Sequence, residues 1–415
     1  MAKSDRYVVG LDVGATKICC VVAEVKDNDT VEMAGIGLTP SRGIRKGVVV
    51  NLDATVEAIK ACVEDAELTA GVSVESASVG VAGTHMRSFN SRGVVSVSGR
   101  DKTVAREDVR RVMEAARAVS IPPEREILHV LPQEFVLDDQ AGISSPVGMN
   151  GTRLEANVHI VTAATASIQN LVACVNKAGI EVREMVLEHL AIAESVLTQD
   201  ERDLGVALVD LGGGTTDVAI FEKGSAWHTA VLPVGGDHFT NDLAVGLRTP
   251  IPDAERLKKQ YGCALSSLVV EDEGIEVPSV GGRKSRLLSR QVMAEILEPR
   301  AEEIFTLLHE EIQRAGFHKL LNAGVVLTGG GSLLPGMIEI AEQVFDLPVR
   351  RGVTREMVGD LAESADPQAV TAIGLALHGA RNRTVRRRPS IPADAGILVR
   401  MGDRVRYWFS EMFSA

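Results

Sequence analysis

The chain has 415 residues and a formal net charge of −12, with apolar and charged fractions of an ordinary globular protein. That length exceeds what one core supports and predicts two lobes, each open to subdivision. The acidic balance argues against broad nucleic-acid binding. Aromatic residues are only 3%, so the cores must be built from Val, Leu, Ile and Ala, as in sheets buried on both faces.

The charge is uneven. Residues 381–415 hold eight Arg, no Lys, two Asp and one Glu, a net +5 that leaves −17 on the rest. A short basic tail on an acidic body predicts a separate task for the tail. The five cysteines (19, 20, 62, 174 and 263) have no metal or redox spacing, and Cys19 and Cys20 read as small core residues. The N-terminus has no apolar leader pattern, and no stretch reaches the roughly 20 apolar residues of a membrane span. The expected compartment is the cytosol.

The first predicted strand, Tyr7 to Asp12, enters Val13-Gly14-Ala15-Thr16-Lys17 and leaves as a second strand, Ile18 to Val25. The region from Met86 to Thr162 alternates short strands with Gly, Pro and Ser breaks, the pattern of an inserted α+β subdomain. Within and after it, helices are predicted over Val104–Val119, Ala164–Ala178 (stopped by Gly179) and Glu188–Leu197. The strand Val206 to Asp210 then enters Leu211-Gly212-Gly213-Gly214-Thr215-Thr216-Asp217, and a strand Val218 to Phe221 follows. A long charged helix is predicted over Leu287–Ala315. A buried strand beginning at Ala323 feeds Gly329-Gly330-Gly331-Ser332, and a small-residue helix spans Asp366–Ala380. From Arg381 to Asp394 the composition turns to Arg, Pro and Ser, which predicts a linker.

The two strand–Asp–x–Gly–turn–Thr–strand passages are one device used twice, about 200 residues apart, and predict two related α/β lobes. A loop approaches phosphates closely only if it lacks side chains and presents N–H groups. Gly14, Gly212, Gly213 and Gly214 meet that need, Thr16, Thr215 and Thr216 add hydroxyls, and Lys17 adds charge. Each hairpin brings one carboxylate, Asp12 or Asp210, to its strand end, a pairing that suits a Mg²⁺ which keeps most of its waters. The chain has neither a P-loop nor a dinucleotide glycine fingerprint.

Placed on a helix, Ile397, Leu398, Met401, Val405, Trp408, Phe409 and Met412 share one arc of about 120°. Arg400, Asp403, Ser410 and Glu411 oppose it, and Arg404 and Arg406 border it, where their stems can snorkel. After an Arg-rich, Pro-containing linker this is the pattern of an in-plane membrane helix facing anionic lipid. The alternative is a helix packed on the body.

The three glycine turns resemble, in this order, the phosphate-1, phosphate-2 and adenosine motifs of the actin/Hsp70/sugar-kinase superfamily. The helices at Glu188 and at Asp366-Pro367-Gln368-Ala369-Val370 resemble its two connecting helices. Within that superfamily the chain is similar to the FtsA family of bacterial cell-division proteins. The passages that carry this are Val130–Phe135 and Met149-Asn150-Gly151 in the insertion, Leu232–Asp237 with Thr240, Ala254–Lys258, Ala294–Arg300, and the tail.

The resemblance implies an α/β, actin-like ATPase fold: two duplicated lobes with an inserted small α+β subdomain and a C-terminal amphipathic helix. The implied parts are 1–85, 163–200 and 353–380 in the first lobe, with the insertion at 86–162. The second lobe takes 201–235 and 316–352, with its smaller subdomain at 236–315; the linker is 381–394 and the membrane helix 395–415.

Implied roles are Mg²⁺ at Asp12 and Asp210, and ATP phosphates at Gly14, Ala15, Thr16, Lys17 and Gly212 to Thr215, with Gly235 and Gly236 approaching from the second lobe. Ribose or adenine falls to Glu255 and Lys258, and the base to Gly329, Gly330, Gly331 and Ser332. Glu188 stands where related ATPases orient the attacking water, although His189 follows it where relatives often have Pro; a Glu at a helix start is equally a favourable first-turn residue. Catalysis, if any, is at most a weak ATPase.

The implied function is an ATP-binding protein that polymerises with itself on the cytoplasmic face of the membrane at the division site. There it anchors the tubulin-like FtsZ and recruits later division proteins. The family's FtsZ contact lies on the second lobe's smaller subdomain. There the basic run Arg283, Lys284, Arg286, Arg290 either receives the acidic FtsZ C-terminal peptide or is a solvated loop. Rival readings are a small-molecule kinase, for which no substrate motif is visible, an Hsp70-type chaperone, for which too few residues follow Ala380, and an actin-like scaffold for cell shape or pilus assembly.

Overall fold

The computed structural model describes residues 6–99, 101–270, 273–363 and 367–387. The first lobe is built on a six-stranded sheet in the order Glu181–Leu187, Ser76–Val81, Tyr7–Val13, Lys17–Val25, Val31–Pro40, Met357–Val358. Its central strands are apolar throughout because both faces are covered. Alternate residues divide between two cores, as a period of two requires. Leu11, Ile18, Cys20 and Val22 pack with Ile59 and Cys62 of the helix Leu52–Ala70. Val8, Cys19 and Val21 pack with Ala372, Ile373 and Ala376 of the helix Val370–Arg387. All five cysteines are free and buried.

The second lobe repeats the arrangement with five strands in the order Ser225–Leu232, Thr216–Glu222, Val206–Leu211, Val325–Thr328, Val349–Arg351. In each lobe an antiparallel hairpin carries the glycine turn and a parallel strand flanks it. The sequence duplication is thus a duplication of topology. The helix Glu188–Val196, which starts directly after the strand Glu181–Leu187, crosses the helix Val370–Arg387 between the lobes. The crossing is close because Gly374 lies against the Ala191 carbonyl, with which a Cβ would collide.

Between residues 87 and 164 the chain forms a separate four-stranded antiparallel sheet, Arg87–Ser96, Arg153–Ala164, Arg125–Leu137 and Gln140–Ile143, with the helix Arg106–Arg117 on it. It touches the second lobe at the strand Ser225–Leu232. Ser88 Oγ donates to the Thr229 carbonyl (2.8 Å), and His159 Nε2 lies 3.0 Å from Thr229 Oγ1.

The largest departures from the sequence reading lie at the ends of the two last long helices. Residues 286–289 are a strand paired with Gly274–Val277, and the long helix begins only at Arg290, where the Ser289 side chain accepts from the Gln291 amide. A helical pattern extended back to Leu287 overlooked that cap. The last described helix starts at Val370, after a turn at Pro367–Ala369, and continues to Arg387. Residues 381–387, read as linker, are therefore helical. Their first turn is tied to the body: Arg381 pairs with Glu356 and Asn382 donates to Glu184. The remainder of the expected linker and the whole expected membrane helix lie outside the described residues.

Candidate functional site between the lobes

The glycine turns of both lobes close on one cavity of about 420 Å³, within the range of small-molecule sites. In the first turn the Gly14 amide donates to the Lys17 carbonyl at 3.0 Å. Lys17 Nζ lies 2.8 Å from Asp12 Oδ2. Burial works against the Lys17 charge, but Asp12 and Asp210 outweigh it and hold the ammonium protonated. In the second turn Gly213 faces Thr16 across the lobes so closely that a Cβ would collide with the Thr16 hydroxyl. The Thr215 hydroxyl donates to Asp217 Oδ2 at 2.9 Å.

Gly235 and Gly236 clamp the second turn from outside. The amides of Gly236 and Asp237 donate to the Gly212 and Gly213 carbonyls at 2.9 and 2.8 Å. Gly236 reaches the cavity wall and Gly235 stands behind it. Glu255 and Lys258 line the cavity as an ion pair (2.7 Å), and Lys258 also donates to the Gly236 carbonyl (2.9 Å). Burial alone would raise the Glu255 pKa; Lys258 and the Thr240 hydroxyl bring it below the ordinary value.

At the third turn Gly329 has φ 80°, and a Cβ there would lie 2.6 Å from the Leu211 carbonyl. Gly330 and Gly331 line the cavity with Gly329. Ser332 does not: it is buried, and its hydroxyl braces the Gly329 carbonyl at 2.7 Å. Of the residues expected around a nucleotide, Gly14 to Lys17, Gly212 to Thr215, Gly236, Glu255, Lys258 and Gly329 to Gly331 converge, while Gly235 and Ser332 support from a second layer.

The carboxylates Asp12, Glu188, Asp210 and Asp217 all line the cavity. Burial, then Asp12, Asp210 and Asp217, push the Glu188 pKa well above its usual range, against Lys17. Burial and Asp12 bring Asp210 up to about 6. Burial and Asp210 bring Asp217 up to about 8. His189 turns away from the cavity. It is buried, its pKa lowered by burial to about 4, with Nε2 3.8 Å from Asp217 Oδ1.

Asp217 was missing from the expected site, although it ends the very motif that signals the second turn; it is Asp210's partner across the hairpin. Gln368 and Thr371, at the entry to the last helix, were also missed. They are brought to the cavity by the return of the chain between the lobes; the passage from Asp366 to Val370 pointed to the connecting helix but not to its reach into the cavity.

These shifts predict the pH response of the ligand-free chain. Asp217 in the folded state keeps a proton that an unfolded chain releases near pH 4. At this carboxyl the folded state therefore binds more protons between about pH 4 and 8, and the Asp217 contribution to stability falls as pH rises through that window. From pH 6 to pH 8 Asp217 removes about 2 kcal/mol, and Asp210 adds a loss of the same sign below pH 6. Relative to the parent, Asp217→Asn should therefore lack this loss, and the difference between the two ligand-free thermal midpoints should shift in favour of the variant as pH rises from 6 to 8. A slope identical in the two proteins refutes the assignment.

The remaining expected residues lie elsewhere. Arg283 is exposed, Arg286 is exposed and donates to the Leu247 carbonyl, and Arg290 is engaged with the Tyr261 carbonyl and Glu273. Ile397, Leu398, Met401, Arg404, Arg406, Val405, Trp408, Phe409 and Met412 lie outside the described residues. Among the described residues no helix is long and apolar enough to cross a membrane.

Two duplicated lobes with paired glycine hairpins facing one cavity define an actin-like class of fold. Solved structures agree. The chain resembles the PilM–PilN type IV pilus biogenesis complex (TM-score 0.66, 16% identity, covering 90% of this chain and 98% of that one). It also resembles MreB5 of Spiroplasma citri bound to ADP (TM-score 0.54, 14% identity, covering 92% and 99%).

Sequence comparison is more specific. The family model for cell division protein FtsA matches residues 207–374, and that for the SHS2 domain inserted in FtsA matches 83–162. Cell division protein FtsA of Pseudomonas aeruginosa is 48% identical over 92% of this chain and 91% of its own length. FtsA of Escherichia coli is 40% identical over 91% of each. FtsA of Bacillus subtilis is 39% identical over 93% and 86%. The chain belongs to the FtsA family of bacterial cell-division proteins.

Proposed function

We propose that the chain binds ATP with Mg²⁺ between its lobes, polymerises with itself on the cytoplasmic face of the cell membrane at the division site, and anchors FtsZ filaments there while recruiting later division proteins. The observation that carries the nucleotide part is the meeting of the Gly14 and Gly213 turns at one cavity, a cradle that any Cβ on Gly213 would obstruct. MreB5, which shares the fold, was solved bound to ADP.

Mg²⁺ when bound supplies positive charge between phosphates and carboxylates. Among the described residues no three metal-ligating side chains converge on one point. Asp12 and Asp210 would hold such an ion, mainly through its waters, while the phosphates supply the other ligands. Lys17 adds the fixed positive charge at the phosphates. Burial, with Asp12, Asp210 and Asp217 beside it, pushes the Glu188 pKa up in the ligand-free cleft. Its role would be to orient a water, in at most weak ATP hydrolysis.

For FtsZ, Arg283 and Arg286 offer exposed cations next to Leu287, which is 77% exposed. Exposed cations and an exposed apolar side chain on one segment suit an acidic amphipathic peptide. Arg290, already paired with Glu273, acts as support for that face.

The test is reconstitution on vesicles containing anionic lipid. FtsZ should sediment with the vesicles only when this chain and ATP are present. The pair Arg283→Glu and Arg286→Glu should release FtsZ into the supernatant while the chain itself stays on the vesicles. Unchanged FtsZ sedimentation with the charge-reversed pair removes this face from the contact. No FtsZ sedimentation with the parent chain removes the anchoring role.

A further inference from the structure

The helix that begins with Glu188 has no side-chain cap of its own and starts directly after Leu187, the last residue of the strand Glu181–Leu187. That strand is the outermost of the six-stranded sheet and pairs on one side only, with Ser76–Val81. Outward amides of an edge strand have no ladder partner. Leu187 is buried, so its amide needs an acceptor from elsewhere. The acceptor comes from the insertion: the Leu187 amide donates to His129 Nε2 at 3.0 Å, across 58 positions of sequence. The imidazole accepts there through an unprotonated nitrogen, a role that the amide oxygen of a glutamine can take over.

His129 is held in place from both sides. It lies on the strand Arg125–Leu137, and two further residues of that strand, each two positions on, grip the lobes. Leu131 packs against the first-lobe core that includes Leu187. It also packs against the cluster in which Ile192 and Val196 of the Glu188 helix meet Leu208 of the second lobe. The Gln133 side chain donates to the Trp227 carbonyl of the second lobe at 3.2 Å. The insertion is thus seated on both lobes, with its imidazole at the root of the helix. Glu188 takes its direction from that root. Its side chain passes over Gly80, where a Cβ would lie 3.0 Å from Glu188 Cγ and 3.2 Å from its Oε1. A side chain packed so closely follows its backbone.

We propose that His129 is a positioning residue for ATP hydrolysis: it fixes the Leu187 amide, and with it the start of the helix that aims Glu188 into the cleft. This rests on the cleft being the nucleotide site. His129 does not line the cavity and acts only through residue 187. The insertion thereby contributes to the chemistry of the cleft from behind. An insertion lifted from its seat takes the acceptor with it, and Glu188 loses its aim.

The experiment compares the full parent chain with His129→Ala and His129→Gln. ATP affinity with Mg²⁺ is measured by calorimetry, and turnover as kcat and KM. Affinity should be the same in all three chains, because the phosphate turns are untouched. The kcat should fall about tenfold to 100-fold in His129→Ala, the order of loss that a misplacement of about 1 Å brings, and glutamine should restore it. A kcat in His129→Ala equal to the parent's, or a loss that glutamine does not restore, overturns the proposal. So does a loss of ATP binding in His129→Ala, which makes the contact a structural prop of the whole cleft. A parent that binds ATP without turning it over leaves Glu188 nothing to aim at and overturns the proposal, while the cleft reading stands. A parent that binds no ATP overturns the cleft reading and the proposal together.

Discussion

A chain ending at Asp394 should stay in the supernatant when anionic vesicles are sedimented, whereas the full chain with ATP should pellet. The tail's apolar residues, among them Trp408, Phe409 and Met412, offer about 1.5–3 kcal/mol for each one fully removed from water. An in-plane helix buries them only in part. Arg404 and Arg406 add about 1 kcal/mol each near an anionic surface. On the proposed reading one such tail would bind reversibly, and firm attachment would need several tails held together by self-assembly.

Two further outcomes follow. Neutral vesicles, or salt high enough to screen the arginines, should weaken pelleting of the full chain about tenfold or more. Conditions that block self-assembly should weaken it even with the tail present. If the full and shortened chains pellet equally, attachment lies in the body. If neither pellets, the tail is a packing or partner helix.

Much of the site was legible because its chemistry imposes local rules on the sequence. Phosphate loops need glycine, strand ends need Asp, and the need recurs in both lobes, so Asp12, Gly14, Asp210 and Gly212 to Gly214 announce themselves. What escaped depends on distant chain segments. Gln368 and Thr371 reach the cleft only because the last helix returns between the lobes. Lys46 crosses to the other lobe because a two-residue turn reaches Pro233, 187 positions away in sequence. Neither fact leaves a periodic trace.

The helix starting at Leu287 failed for a local reason. A four-residue strand and a serine cap lie inside what reads as a continuous charged helix, and so short a strand carries too few alternations to compete with the helical pattern. The run from 381 was misread because its arginines resemble solvated linker, while Arg381 is in fact paired to the body. Arginine-rich composition alone does not distinguish a helix tied down by carboxylates from a free chain.

Gly235→Ala should weaken nucleotide binding by about 100-fold or more. The backbone at Gly235 is extended, φ −173°, so alanine's own conformational preference is not the obstacle. The obstacle is space. A Cβ would lie 2.6 Å from the Gly212 carbonyl, 2.8 Å from that of Gly213 and 2.9 Å from that of Thr215. All three are backbone atoms of the second phosphate turn, and none can rotate away as a side-chain tip could. Either the turn moves outward or residues 235–237 move back, and in both cases the bonds from the Gly236 and Asp237 amides are lost. The displaced turn no longer meets the one at Gly14. With two charge-assisted N–H contacts to phosphate lost, at about 1.5–3 kcal/mol each, the affinity loss is of that order. Gly236→Ala provides the contrast, because its Cβ would meet nothing closer than 3.5 Å. The ligand-free thermal midpoint should therefore drop for the substitution at 235 and hold for the one at 236. Calorimetry with ATP decides the matter. Parent-like affinity in Gly235→Ala means that the second turn does not grip phosphate, and the duplicated hairpins then lose their assigned purpose.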